Sequence, residues 1–288
     1  MVHIKRISLI SVILITLVIL FCSKEENNTT LSNQAVEDAV DVIAASIGEN
    51  NGGALEQIGQ IFTYLIEDEK KTRQIEMMDT TRQIQYDSTN SQWIIRIDRT
   101  ANSSNDDCYA HIERTQTVQY LNQNNQAQKF RINCVESVCD TAAKIRYKIL
   151  NGQGTLRNRR ISTQLTNIIA DWTITGCVTD TITINGSYSR QGIDTIRNAQ
   201  SHKIVDYMLY MTLVDIKSPH ERQTQVSDKI SGVISGIAQI HVSFQRGETY
   251  RDSSFTQEFT IDLSNGQGNL TVIGRRFPLL LRSGERNE

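Results

Sequence analysis

The side chains that could perform chemistry are few and scattered along the chain. No GxSxG, P-loop, HExxH or EF-hand pattern is present. Asp106-Asp107 is a carboxylate pair, but neighbouring residues of a strand point to opposite faces, and loop carboxylates are normally solvated. We therefore predict no catalytic residue, no metal site and no cofactor, while a glycosidase pair assembled from distant strands stays open. Four histidines lie near no sequence-local set of ligands: His111, His202, His220 and His241.

The N-terminus has the pattern of an export signal. Lys5 and Arg6 supply positive charge, and Ile7 to Phe21 form a mainly apolar run of fifteen residues. A membrane-spanning helix needs about 20 apolar residues, so this run suits a signal peptide better. The run stops at Cys22, and polar residues follow. We predict a signal peptide over residues 1–21 and a flexible tether over residues 22–30; an uncleaved apolar anchor is the alternative.

This arrangement resembles the signal of bacterial lipoproteins. In that family the cysteine after the apolar run receives lipid and becomes the first residue of the mature protein, which implies lipidation of Cys22. Phe21 stands where the family usually has a small residue. Ser23-Lys24-Glu25-Glu26 resembles the surface-export signal of Bacteroidota lipoproteins, with spirochaete lipoproteins as the alternative origin. The resemblance implies a lipid anchor in the outer membrane, and surface exposure where the export signal acts.

The four remaining cysteines predict disulfides. An exported chain meets an oxidising compartment, and four cysteines allow three connectivities. Strands around residues 108–121 and 127–139 should form a hairpin, which favours Cys108–Cys139 with Cys134–Cys177. The alternative is Cys108–Cys177 with Cys134–Cys139, since the last two could close a small loop. The spacing of Cys134 and Cys139 lacks the usual pattern of zinc ligands.

One triplet recurs more often than the composition predicts. Asp followed by Ser or Thr and then by Thr, Ala or Ile occurs five times. It resembles the acceptor site for O-glycosylation in exported Bacteroidota proteins, although Asp-Thr is also common at strand starts. The implied acceptors are Thr80, Ser88, Thr141, Thr181 and Thr195.

The hydrophobic period predicts two kinds of structure. Residues 31–70 carry apolar side chains at helical spacing and predict two short helices, whereas from about residue 73 alternation predicts strands. Asn/Gly turn signals recur, including Asn151-Gly152-Gln153-Gly154, Asn185-Gly186 and Asn265-Gly266-Gln267-Gly268. We predict a mainly β fold: a large antiparallel sheet over residues 71–288, as a sandwich or partial barrel, with a short N-terminal α-helical hairpin over residues 31–70.

Three classes of function are consistent with the sequence. The net charge of −2 gives no basic face for nucleic acid. The first class, which we favour, is a non-enzymatic envelope lipoprotein with a binding or structural role; it is held to the membrane by its lipid anchor and binds an unknown protein, glycan or lipid ligand. The alternatives are a carrier or chaperone for an apolar ligand, and a polysaccharide-acting hydrolase.

Overall fold

The computed structural model describes residues 32–66, 80–102, 109–135, 138–157, 161–197, 201–219, 226–264 and 266–287. The predicted signal peptide, Cys22, the tether and Asp106-Asp107 lie outside the described residues. The chain divides into Met1–Gln34 and Ala35–Glu288. Within the first unit only residues 32–34 are described, and a helix begins there at Asn33. The second unit contains the rest of that helix and all of the described strands.

Two helices precede the strands, where the hydrophobic period predicted them. They are α1 (Asn33–Ile47) and α2 (Ala54–Ile66), joined through a short 3-10 helix (Glu49–Asn51). Apolar side chains three or four residues apart give each helix a continuous apolar face, and Gly52 takes a positive φ of 66° after the 3-10 turn. Within the described part of the chain, no helix has the length and apolar character needed to cross a membrane.

The described residues after these helices form mainly antiparallel β structure, which confirms the predicted mainly β class. β-branched residues are common in these strands, as expected for side chains that pack well on a pleated surface. The strands are β1 (Thr80–Asp87), β2 (Gln92–Asn102), β3 (Tyr109–Leu121), β4 (Ala127–Gln128), β5 (Ile132–Val135), β6 (Val138–Thr141), β7 (Lys144–Arg157), β8 (Ile161–Thr175), β9 (Thr181–Arg197), β10 (Ser201–Pro219), β11 (Ser231–Arg246), β12 (Thr249–Ser264), β13 (Gln267–Val272), β14 (Arg275–Leu280) and β15 (Glu285–Arg286).

Thirteen of these strands belong to one large antiparallel sheet. Its order is β1-β2-β3-β7-β8-β9-β10-β11-β12-β13-β14-β15, with the short β4 paired to β3. Because the path ends at β1 and β15, the sheet as described is not closed. The strands β5 and β6 form a separate two-stranded sheet.

The two faces of the large sheet differ. On β8, Ala170, Trp172 and Ile174 are buried, while the alternating Ile169 and Asp171 are exposed. We call the face toward α1 and α2 the inner face and the opposite one the outer face. Aromatic rings form a row across the inner face: Tyr64 of α2, then Tyr147, Trp172 and Tyr188 of three successive strands, with centroids 6.3, 5.5 and 6.1 Å apart. The core therefore lies between the helices and the inner face.

Two of the predicted turns are wrong. Asn151 to Gly154 lie inside β7, where the pairing with β3 shifts register beside Leu150. The glycine is needed for close strand approach: a Cβ on Gly154 would lie 2.4 Å from the carbonyl oxygen of His111. Asn185-Gly186 likewise lies inside β9, opposite a bulge in β10. There the side-chain oxygen of Asn185 accepts the backbone N–H of Asp215 at 2.8 Å.

The preferred disulfide pairing is also wrong. Cys134 and Cys139 are bonded to each other across β5 and β6, and Cys177 is a buried free thiol. Cys108 lies outside the described residues. The predicted long hairpin fails because β3 pairs with β4 at only two positions and along the rest of its length with β2 and β7. The intervening segment forms its own small hairpin, which brings Cys134 and Cys139 opposite each other.

Candidate binding surface

A broad groove crosses the outer face from β8 to β13. Its volume is about 820 Å³, and it is open to solvent. We call it the central groove. Antiparallel pairing of the successive strands β8 to β13 places their outward side chains side by side, so that the groove is built from two neighbouring rows of residues.

The first row of the central groove is largely apolar. Ile169 of β8 pairs with Ser189, Ser189 with Tyr210, Tyr210 with Ile237, and Ile237 with Glu258. Ile169, Tyr210 and Ile237 are 42%, 51% and 40% exposed, which is high for large apolar side chains that lie close together. Tyr210 and Ile237 are directly paired and offer a ligand adjoining apolar surface, and Ile169 lies beyond Ser189 in the same row.

The second row carries hydroxyl groups. Cross-strand pairs connect Ser187, Thr212, Ser235, Thr260 and Thr271 in that order, over β9 to β13. Hydroxyls both donate and accept hydrogen bonds. Glu258 is the only charged residue among the sixteen that line the groove. The central groove therefore combines apolar contact with neutral hydrogen bonding.

A second groove of about 600 Å³ lies on the outer face of β1 to β3, β7 and β8. Asp98 and Glu113 line it and stand directly opposite each other on β2 and β3. His111 lies between them: its Nε2 is 3.0 Å from Asp98 Oδ1 and 3.7 Å from Glu113 Oε1. Gln153 donates a hydrogen bond to Glu113 Oε2 at 2.9 Å.

These three side chains are the described group that could hold a metal ion. Their ligand atoms all lie within 4.8 Å of one another. Asp98 and Glu113 are about half exposed, so solvent, the imidazole of His111 and the amide of Gln153 all reach their oxygens. The hydrogen-bonded arrangement is thus complete without an ion, and the prediction of no metal site stays a prediction.

A second histidine also meets partners across strands. His241 Nδ1 lies 2.8 Å from Ser254 Oγ, and His241 Nε2 lies 3.3 Å from Asp252 Oδ1. These are the residue types of a serine hydrolase triad. None of the three lines the grooves described above, and His241 and Asp252 are about half exposed. The cluster therefore lies outside both grooves.

The remaining residues singled out in the sequence are dispersed. Ser88 lies in the exposed turn after β1, Thr181 is the exposed first residue of β9, and Thr141 ends β6. Thr195 lies within β9, paired with Ser162 and Ile204. Thr80 begins β1, and His202 lies in β10. His220 is outside the described residues. No two of these residues are brought together in a common site.

Burial raises the pKa of two side chains, Asp194 and Cys177. Desolvation raises the pKa of the Asp194 carboxyl, although a hydrogen bond from Thr163 and the charge of Arg190 oppose the shift. Asp194 Oδ1 is shielded from solvent and makes no hydrogen bond in the described structure. Desolvation also raises the pKa of the Cys177 thiol to about 11. Both groups are better explained as buried structural groups than as members of a reactive site.

No protein-family model, curated protein or solved structure matches the chain. The class is thus defined by the fold and its surface: a mainly β protein in which one open antiparallel sheet holds two helices on its inner face and a groove with a single charged residue on its outer face.

Proposed function

We propose that this chain is a lipid-anchored protein of the bacterial outer membrane with a non-enzymatic binding role, and that the central groove is its binding surface. The anchoring part of the proposal is supported by residues 1–26 of the sequence. The binding part is supported by one observation, the pairing of an exposed apolar row with a hydroxyl row across six strands.

The side chains of the central groove indicate the kind of ligand that it binds. Tyr210 and Ile237 offer flat and branched apolar surface, and the neighbouring hydroxyls of Thr212 and Ser235 supply hydrogen bonds. Binding sites that combine apolar walls with a few polar groups hold ligands by burial and orient them by hydrogen bonds. An extended, uncharged ligand with hydroxyl or amide groups, such as a glycan or peptide segment, fits this surface.

The carrier alternative finds less support. A carrier would need its inner face for an apolar ligand, whereas here the side chains of α1 and α2 fill it; Ile43, Leu55, Ile58 and Leu65 are fully buried. We also propose that the sheet is a partial barrel around a helical hairpin. In support of this, polar side chains of β3, β10 and β12 all contact α1 or α2.

A photo-crosslinking residue at position 210 of the full-length chain, expressed in its native cells, tests the binding role. We expect a crosslinked product that Ile237→Glu greatly reduces, since the branched apolar side chain beside Tyr210 would be replaced by a second carboxylate, opposite Glu258. The matched control is the same residue at position 250, where Tyr250 is 62% exposed on β12 outside the groove. Equal products from both positions, or a product unaffected by Ile237→Glu, would count against the groove.

A further inference from the structure

Three aromatic rings surround a lysine ammonium group at the β1–β2 end of the sheet. The Nζ atom of Lys129 lies 5.1 Å from the ring centroid of Tyr86, 6.0 Å from that of Trp93 and 5.0 Å from that of Phe130. The centroids of Tyr86 and Trp93 are 5.0 Å apart, and those of Trp93 and Phe130 are 6.1 Å apart. We call these three rings the aromatic cage.

The fold holds the cage in place through two different constraints. Tyr86 and Trp93 are directly opposite each other in the β1–β2 register, so that their rings meet on one face. Phe130 is brought to them by the segment after β4, where the indole Nε1 of Trp93 donates a hydrogen bond to the carbonyl oxygen of Lys129 at 2.6 Å. This backbone contact orients the indole independently of the lysine side chain.

The side chain of Lys129 is less constrained than the three aromatic rings around it. Lys129 is exposed, whereas Tyr86, Trp93 and Phe130 are half-buried. Its ammonium group can therefore swing into water while the rings stay in position. A cation over several aromatic faces is attracted by their quadrupoles, and quaternary ammonium groups are recognised by cages of this kind.

We propose that the aromatic cage is a binding site for methylated ammonium groups, with Lys129 as a built-in competitor that occupies it when no ligand is present. A quaternary ammonium, in which every N–H is replaced by an N–C bond, has no hydrogen-bond donor for water, so it loses little by leaving water for the ring faces. The lysine ammonium has three donors that water satisfies, so it yields the cage at small cost. The ligand class is a quaternary ammonium, either free in solution as in choline or carried as a phosphatidylcholine headgroup.

The strength of the contact between Lys129 and the rings determines how much its removal should tighten ligand binding. An exposed cation–π contact changes an equilibrium constant by roughly two- to fivefold. Removing the lysine side chain should therefore tighten the binding of tetramethylammonium by about fivefold. Lys129→Arg, which keeps a cation over the rings, should bind no more tightly than the unchanged chain.

The test is a titration of the full-length chain, labelled with ¹⁵N at its tryptophans, with tetramethylammonium chloride. The chain has two tryptophans. We expect the indole signal of Trp93 to move, and that of Trp172, which is 0% exposed, to stay. Lys129→Ala should shift the midpoint to lower concentration, and Lys144→Ala, which removes a half-buried lysine whose ammonium donates a hydrogen bond to Asn125, should not.

Sodium chloride at equal concentration controls for screening. A Trp93 signal that does not respond to tetramethylammonium beyond this control, or a Lys129→Ala midpoint equal to that of the unchanged chain, would overturn the proposal. Lys129 would then be a structural contact only. Once the titration succeeds, choline in solution and phosphatidylcholine bicelles, the latter against phosphatidylglycerol bicelles, distinguish a free ligand from a lipid headgroup.

Discussion

The buried carboxylate of Asp38 on α1 lies 2.6 Å from the ammonium group of Lys203 on β10. Its other oxygen lies 2.9 Å from the guanidinium of Arg251 on β12. The side chain of Asp38 is 1% exposed, whereas those of Lys203 and Arg251 are 18% and 34% exposed. One carboxylate thus joins a helix to two strands that are themselves separated by β11, and it helps to fix where α1 lies on the inner face.

Asp38→Ala should therefore destabilise the protein. We expect a loss of roughly 2 kcal/mol in the free energy of unfolding, less than the about 3–5 kcal/mol of a fully buried pair because both cations keep contact with water. Urea denaturation measures the change. The matched control is Asp171→Ala, which breaks an exposed ion pair with Lys148 and should cost less than about 1 kcal/mol. Equal losses in the two variants would contradict the role given to Asp38.

The sequence was sufficient for the parts of the fold that depend on local periodicity. Helical spacing in residues 31–70 located α1 and α2, and the change to alternation near residue 73 predicted the strands that follow. Turn prediction failed where glycine serves another purpose. Gly154 permits close approach of neighbouring strands, and Gly186 lies opposite a bulge, so that Asn/Gly pairs there do not mark turns.

The candidate sites could not be predicted because they depend on register. His111 and Asp98 are thirteen residues apart and meet only because β2 pairs with β3 at one particular register. The rows of the central groove likewise need the registers of five strand pairs, and a shift of one residue would move every side chain to the other face. Alternation showed that Ile237 lies in a strand, but not which residues lie beside it.

Asp194 predicts a pH dependence of stability. Desolvation raises the pKa of its carboxyl above the ordinary value of 3.8, so the folded state holds a proton that the unfolded chain releases. Stability from this group is therefore present below pH 3.8 and is lost as the pH rises above it. Asp194→Asn should raise the free energy of unfolding at pH 7, and the gain should shrink as the pH falls toward 4, as measured by thermal denaturation across pH.

Asp87→Asn is the opposite control. Hydrogen bonds from Asn90 and Thr89 lower the pKa of the exposed Asp87 carboxyl, so its stabilisation is present above pH 3.8 and is lost as the pH falls below it. Asp87→Asn should therefore lower stability at pH 7. A gain in stability from both variants would show that net charge and not the individual environments controls the response, and no gain from Asp194→Asn would contradict the effect assigned to burial of its carboxyl.

The cysteines should differ in reactivity. In exported protein carrying Cys108→Ser, Cys177 should resist thiol reagents until the chain unfolds, because it is 0% exposed and its thiol pKa is raised to about 11. Unfolding without reduction should then release one thiol, and reduction should add the two of Cys134 and Cys139. Cys177→Ala should abolish the first thiol alone. Three thiols before reduction would exclude the disulfide.

O-glycosylation, if present, should follow exposure. Ser88 and Thr181 lie in exposed positions, where a modifying enzyme has access, whereas Thr195 is flanked by β8 and β10. Mass spectrometry of the native protein should find higher occupancy at Ser88 and Thr181 than at Thr195. Unmodified peptides at all five predicted acceptors would remove the glycosylation hypothesis, and the triplets would then reflect the abundance of Asp-Thr at strand starts.

Lipidation should depend on a single atom, the Sγ of Cys22. The basic start, the apolar run of residues 7–21 and the polar residues that follow are the features on which this prediction rests. Cys22→Ala should abolish incorporation of labelled palmitate and leave the precursor unprocessed by the lipoprotein peptidase, whereas Cys108→Ala should retain both. Phe21→Ala supplies the small residue usual before the cysteine and should speed processing. Unchanged labelling of Cys22→Ala would end the lipoprotein hypothesis, because no other thiol follows the apolar run closely enough to accept the lipid.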